Sequence, residues 1–257
     1  MILSKRVALD GVYLDEMHER IVIRSINTGV PHENITAVNR MGGAGQRITG
    51  QHWETLDVIV TVAIDVPKRE LAYRRAIFDM INGWAARKGW LTVNWMQNRR
   101  MYVDKVIFPS SGDLWEWTND YQITFRAYNV PFWQDALPAQ ASTGVVSQAN
   151  LNLQIGGLVT TVLDATFENR SGMTINNFLI RAQGSEIRLS SLGLGGNQKL
   201  SISHGTDGLL RIKIGNTSVY NKYTGDDDLY VDPSAVPVHF EADRAGVLTV
   251  MCWGRYL

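Results

Sequence analysis

Toward the carboxyl end of this chain the apolar residues come in short runs, and turn formers separate nearly all of them. The runs are Leu158 to Phe167, Phe178 to Ala182, Ser185 to Leu189, Gln198 to Ile202, Leu209 to Ile214, Ser218 to Tyr220, Val236 to Phe240 and Val247 to Trp253. In Leu200-Ser201-Ile202-Ser203 and in Leu210-Arg211-Ile212-Lys213-Ile214 apolar and polar side chains alternate, so one faces a core and the next faces water. Short strands with no helix between them predict a β-sandwich of jelly-roll type.

The earlier part reads differently. The β-branched run Val58-Ile59-Val60-Thr61-Val62, inside a strand expected over Trp53 to Ala63, suits a strand buried on at least one face. Pro67 then opens the one convincing helix, where Leu71, Arg74, Ile77, Phe78, Ile81 and Trp84 fall at spacings of three and four. Lys68, Arg69, Arg75 and Asp79 lie mostly off that stripe. Strand-like runs follow at Trp90 to Trp95, Met101 to Phe108 and Tyr121 to Tyr128, separated by the turn formers Gln97-Asn98 and Pro109-Ser110-Ser111-Gly112-Asp113. The expected fold class is therefore mainly β, with an α+β first domain in which one helix lies on a sheet or half-barrel.

A chain of 257 residues, 45% of them hydrophobic, exceeds what one typical core needs. Composition marks a division: seven of the eight tryptophans precede residue 138, whereas 14 of the 23 glycines follow it. The small-residue stretch from Asp135 to Asn150 has no apolar period and reads as a connection. The domains expected are residues 1–138, a linker at 139–150, and a sandwich at 151–257 that folds alone.

The 25 basic and 25 acidic side chains cancel, so the electrostatic footprint of a nucleic-acid binder or membrane-surface protein is missing. Nothing approaches the roughly 20 apolar residues of a membrane span. The amino terminus lacks a signal-peptide pattern, which predicts a product folded in the cytoplasm and removes the meaning of the glycosylation-like triplets at Asn34, Asn169 and Asn216. The single cysteine, Cys252, lies in the apolar run Val247 to Trp253 and is expected to be buried and inert.

Catalytic signatures are absent. The five histidines (His18, His32, His52, His204 and His239) are scattered without metal-site spacing, and no Gly-x-Ser-x-Gly elbow occurs. No catalytic, cofactor or metal residue is expected. Asp226-Asp227-Asp228 supplies oxygen ligands of the kind calcium favours, but without the spacing of a calcium loop; a solvated turn explains it as well. Tyr220, Tyr223 and Tyr230 could stack on sugar rings or pack at a strand end. Arg99-Arg100 beside Trp95 and Tyr102 pairs base with aromatic, though solvated charge in a hairpin turn accounts for it. The stretch Arg40 to Gln51 is glycine-rich and polar. It enters a strand rather than a helix, so it reads as an exposed loop that orders on assembly and not as a phosphate cradle.

Trp115-Glu116-Trp117, followed by Tyr121-Gln122-Ile123-Thr124-Phe125-Arg126-Ala127-Tyr128-Asn129-Val130-Pro131-Phe132-Trp133, resembles the end of the amino-terminal domain in distal tail proteins of long-tailed phages. The order of a glycine-rich loop with Arg47, a strand, the Pro67 to Trp84 helix and the strands at Gly89-Trp90-Leu91 and Tyr102-Val103 is similar to that family. The stretch from Phe167-Glu168-Asn169 through Leu200-Ser201-Ile202 to the last strand is similar to its galectin-like sandwich. The resemblance implies a non-enzymatic hexameric ring at the virion tail tip, assembled in the bacterial host cytoplasm. Its implied partners are copies of itself, the tail tube protein, the tail hub or tail-associated lysin, and a baseplate or receptor-binding protein. No cofactor, specific nucleic acid or membrane insertion is implied. Arg40, Gly42, Gly43, Gly45 and Arg47 become candidate contacts between subunits. A carbohydrate-binding adhesion protein is the alternative reading.

Overall fold

The structure is a computed structural model that describes residues 5–39, 46–108 and 120–257. The chain forms two compact units, Met1–Trp133 and Gln134–Leu257. The fold is mainly β with a single α-helix among the described residues, and that helix is too short and polar to cross a membrane.

In chain order the first unit holds β1 (Val7–Leu9), β2 (Val12–Tyr13), β3 (Ile21–Thr28), β4 (Glu33–Asn39), β5 (Gln46–Trp53), β6 (Leu56–Ile64), the helix α1 (Leu71–Ala85), β7 (Gly89–Val93), β8 (Arg99–Val103), β9 (Lys105–Ile107) and β10 (Asp120–Ala127). One antiparallel sheet is ordered β2-β1-β7-β8 and a second β3-β6-β10-β9. Between β1 and β2 both Asp10 and Gly11 have positive φ, the geometry of a tight Asp-Gly hairpin. Alternation in β6 turns Leu56, Val58, Val60 and Val62 into the core, and β10 answers with Ile123 opposite Val60 and Phe125 opposite Val58. On the same strand pair, Arg126 holds Asp57 through two bonds of 2.6 and 2.5 Å, which raises the arginine's pKa.

The helix begins at Leu71 rather than at Pro67, because Pro67 opens a turn closed by the Glu70 N–H on its carbonyl. Arg74, Ile77, Ile81 and Trp84 are buried as the stripe requires, while Leu71, at the exposed first turn, is not. Arg74 is tolerated inside because its guanidinium donates to the Val66 carbonyl at 2.6 Å. The expected Trp53 to Ala63 strand is two elements, β5 ending at Trp53 and β6 starting at Leu56. Arg99 and Arg100 open β8 instead of forming the turn, which falls at Asn98 with positive φ; Arg100 lies 4.0 Å over the Trp90 ring.

β11 (Trp133–Asp135) spans the boundary. The second unit continues with β12 (Ala139–Ser142), β13 (Val146–Gln154), β14 (Thr161–Asn169), β15 (Phe178–Ala182), β16 (Ser185–Leu189), β17 (Lys199–His204), β18 (Leu210–Ile214), β19 (Thr217–Ser218), β20 (Tyr223–Gly225), β21 (Tyr230–Val231), β22 (Ala235–Cys252) and β23 (Arg255–Tyr256). The runs expected separately at Val236 to Phe240 and Val247 to Trp253 are one strand, β22. Its first half pairs with β13 and β15, and its second half with β12 and β14. From β15 the ladder goes on to β16 and β20, and from β14 to β17, β18 and β19. The two layers so made enclose Phe167, Phe178 and Phe240, whose ring centroids lie 5.0 to 6.4 Å apart. Gly246 is needed where β22 passes β14, since a Cβ there would meet the Phe167 ring at 2.3 Å and the Glu168 carbonyl at 2.5 Å.

The stretch 139–150, expected to be a linker, belongs to the sheet. Ala139 and Ala141 turn onto the core while Gln140 and Ser142 turn out, and Ala149 begins the inward alternation that Leu151 and Leu153 continue. Side chains this small carry too little hydrophobic contrast for the period of two to be seen.

Turn geometry gives a first test. Gly225 has φ +124°, and a Cβ on it would stand 2.2 Å from the Glu186 carbonyl oxygen. Gly225→Ala should destabilise the second unit by at least about 1–3 kcal/mol from backbone strain alone. A thermal melt of the full chain unchanged by this substitution would show that the β16–β20 pairing is not held as described.

Candidate functional site

A hairpin in the first unit stands apart from every other sheet. β4 and β5 pair antiparallel from Glu33 opposite Trp53 to Asn39 opposite Gln46, and among the described residues neither joins another strand. Glu33, Asn34, Ile35 and Thr36 are all exposed, so β4 shows both faces to solvent where an ordinary strand hides one. At its base the Glu54 N–H donates to the His32 carbonyl at 2.8 Å, and Trp53 meets Phe132 edge to face at 5.3 Å. An isolated two-stranded ribbon is marginal in water. The exposed Ile35 is surface that a partner would cover.

This hairpin carries part of the stretch expected to be a loop. Arg47 lies in β5 opposite Val38, within the strand that begins at Gln46. Arg40, Gly42, Gly43 and Gly45 lie outside the described residues, as does Trp115-Glu116-Trp117. Strand propensity in Arg47-Ile48-Thr49 was masked by the glycines on either side.

Tyr220 and Tyr230 are exposed, and Tyr223 is half-buried. Tyr220 and Tyr223 are tilted ring to ring at 5.3 Å, and the Tyr223 hydroxyl donates to the Asp226 carbonyl. Tyr230 instead donates its hydroxyl to Asp228 at 3.0 Å. Burial, and next the bond to Asp228, raise the Tyr230 pKa, so it stays a donor.

The acidic run is also spoken for. Asp226 accepts the Glu186 N–H at 2.7 Å, and Asp228 accepts from His204 and Tyr230, so the carboxylates do not converge on a common point. No group of three metal-ligating side chains occurs among the described residues.

The histidines offer little to an acid–base mechanism. His204 has both ring nitrogens against carboxylates, Asp164 and Asp228, each at 2.7 Å. His239 lies between Asn150 and Glu241, and His18 meets the Tyr73 hydroxyl at 3.0 Å. His32 and His52 are exposed. Cys252 is fully buried, and burial pushes its thiol up to about 12, far from a nucleophilic thiolate. A polar hollow of about 270 Å³ is lined by Asn177, Arg188, Glu241 and Asp243, whose groups already serve neighbours: Asn177 donates to Asp243, and Arg188 to Glu186.

No protein-family model and no curated protein matches the chain. Among solved structures it is similar to the Dit protein (gp 19.1) of phage SPP1, with TM-score 0.65 and 12% identity over 98% of this chain and 99% of that one. That protein is described as a paradigm of the hub adsorption apparatus in phages infecting Gram-positive hosts. A chain of the phage p2 baseplate in its activated conformation with strontium aligns with TM-score 0.47 and 9% identity, over 96% and 97% of the two chains. The chain thus has the fold of a phage distal tail protein, the fold implied by the Tyr121 to Trp133 motif.

Proposed function

We propose that this chain is a structural, non-enzymatic distal tail protein of a phage tail tip. Copies of residues 1–133 close a hexameric ring that joins the tail tube to the tail hub or tail-associated lysin, and the second unit holds baseplate or receptor-binding proteins. The observation that carries this reading is the similarity to the SPP1 Dit fold along nearly the whole of both chains. The exposed hairpin supports it, because a closed ring needs a heterologous interface in which one patch meets a different patch on the next subunit. A ribbon that hides neither face of β4 in the single chain supplies one such patch. Arg40, Gly42, Gly43, Gly45 and Arg47 belong to that contact in this proposal. Equal numbers of acidic and basic residues suit a wall along which DNA slides without binding.

Native mass spectrometry of the full chain tests the proposal. Hexamers are expected at high concentration, and reversing Arg40 and Arg47 to glutamate should weaken them about tenfold or more while leaving the melting profile of the subunit in place. Monomers at every concentration, together with binding on a glycan array, would replace this reading with the carbohydrate-binding one.

A further inference from the structure

We propose that Asp164, His204 and Asp228 form a proton-operated latch that fastens the acidic turn at 226–229 to the sheet of the second unit and releases its outer part when the histidine loses its proton. His204 ends β17, and its side chain is only 7% exposed. Nδ1 lies 2.7 Å from an oxygen of Asp164 on β14, and Nε2 lies 2.7 Å from an oxygen of Asp228 in the turn between β20 and β21. An ionised carboxylate only accepts, and a neutral imidazole carries one N–H. Both bonds therefore exist together only when the ring is the imidazolium, and the turn is fastened by that proton.

The two ends of the clamp are unequal. Asp164 sits inside a strand and also accepts the His204 backbone N–H at 3.1 Å, so it keeps a hold on the histidine when the ring is neutral. Asp228 has besides His204 the Tyr230 hydroxyl. Deprotonation at Nε2 leaves a lone pair facing the Asp228 carboxylate, and that contact turns repulsive. The ends of the turn stay put: Asp226 donates its N–H to the Glu186 carbonyl and accepts the Glu186 N–H on its carboxylate, while Leu229 is fully buried and accepts the Leu163 N–H. The part set free is Asp227 and Asp228.

The carboxylates of Asp164 and Asp228 set the direction among the charged and titratable groups of the neighbouring elements. Asp164 comes from β14, Asp227 and Asp228 from the turn, Tyr230 from β21, Cys252 from β22 and Arg255 from β23; Arg211 on β18 is engaged by Asp207 at 2.5 Å. Burial is the largest single influence on His204 and lowers its pKa, but the hydrogen bonds and charges of Asp164 and Asp228 together outweigh it and the net direction is up. A group whose pKa is raised by folding adds stability that is complete below its unfolded value, about 6.5, and is lost as the pH climbs through the folded value. The latch is therefore closed below about pH 6.5 and opens as the pH rises through the raised folded value.

Ring nitrogen NMR of the histidines in the full chain, paired with amide hydrogen exchange of a peptide covering 226–231, tests this from about pH 5 to about pH 9. His204 is expected to titrate above about 6.5, and the peptide to lose about tenfold in protection over the same step once intrinsic exchange is divided out. Asp228→Asn should lower the His204 midpoint and abolish the step. Titration at or below the ordinary value, flat protection in the parent protein, or a step that persists in Asp228→Asn would each overturn the latch. The parent titration and exchange decide the matter even if the variant does not fold.

Discussion

Truncating Trp84 to alanine should cost the first unit about 3–5 kcal/mol and lower its unfolding transition while leaving that of the second unit in place. The ring is 1% exposed, meets Phe125 edge to face at 5.7 Å, and donates Nε1–H to the Val12 carbonyl at 2.9 Å. One substitution therefore removes three things: the largest apolar volume on α1, an aromatic contact with β10, and a hydrogen bond that ties the helix to β2. Trp84→Phe separates them, because it retains most of the volume and gives up the donor, at a cost of about 1 kcal/mol for the lost bond plus a smaller packing defect. Two units imply two transitions, so calorimetry of the full chain is the measurement and a single fitted stability would mislead. If Trp84→Ala melts like the parent yet no longer assembles, the helix packs against a neighbour rather than its own sheet.

The same helix shows what could be read from residues alone. Its burial rests on a local spacing, and Ile77, Ile81 and Trp84 fell where a 3.6-residue period puts them. The limits of β15 and β16 were equally plain, since Gln183 and Gly184 turn with positive φ between two apolar runs. Legibility failed where contrast was low or contacts were distant. Glu241-Ala242-Asp243-Arg244-Ala245-Gly246 looks like a polar break between two strands, yet β22 continues through it with a register irregularity, because the ladders to β15 before it and to β14 after it hold the chain extended. The hairpin of β4 and β5 was hidden by glycines. For the latch, the acidic run at 226–228 stood out in the sequence but its partner did not: Asp164 and His204 become neighbours only through the pairing of β14 with β17. His204 was one of five scattered histidines until the sheet brought two carboxylates to its ring.

Where the second unit begins can be settled by cutting the chain, and the expected result reverses the sequence-based one: residues 134–257 should fold alone, whereas residues 151–257 should not. The shorter fragment loses β12, which pairs Ala139 to Ser142 with Cys252 to Thr249, and it loses the part of β13 that lies along the middle of β22. It also loses Thr143, whose N–H donates to the Leu248 carbonyl at 2.9 Å and whose hydroxyl accepts the Leu248 N–H at 3.0 Å. Asp135 goes too, and with it acceptors for the Tyr256 hydroxyl at 3.0 Å and the Gly254 N–H at 3.2 Å. At about 1 kcal/mol net per hydrogen bond, the missing pairing amounts to roughly 5 kcal/mol or more. A domain of this size has only about 5–15 kcal/mol in total, so the cut removes much or all of it. It also bares the edge of β22 next to a formed sheet, which invites pairing between copies. The longer fragment should melt cooperatively by circular dichroism at micromolar concentration, and the shorter one should melt broadly or precipitate. Equal and cooperative melting of the two would return residues 139–150 to the role of a linker.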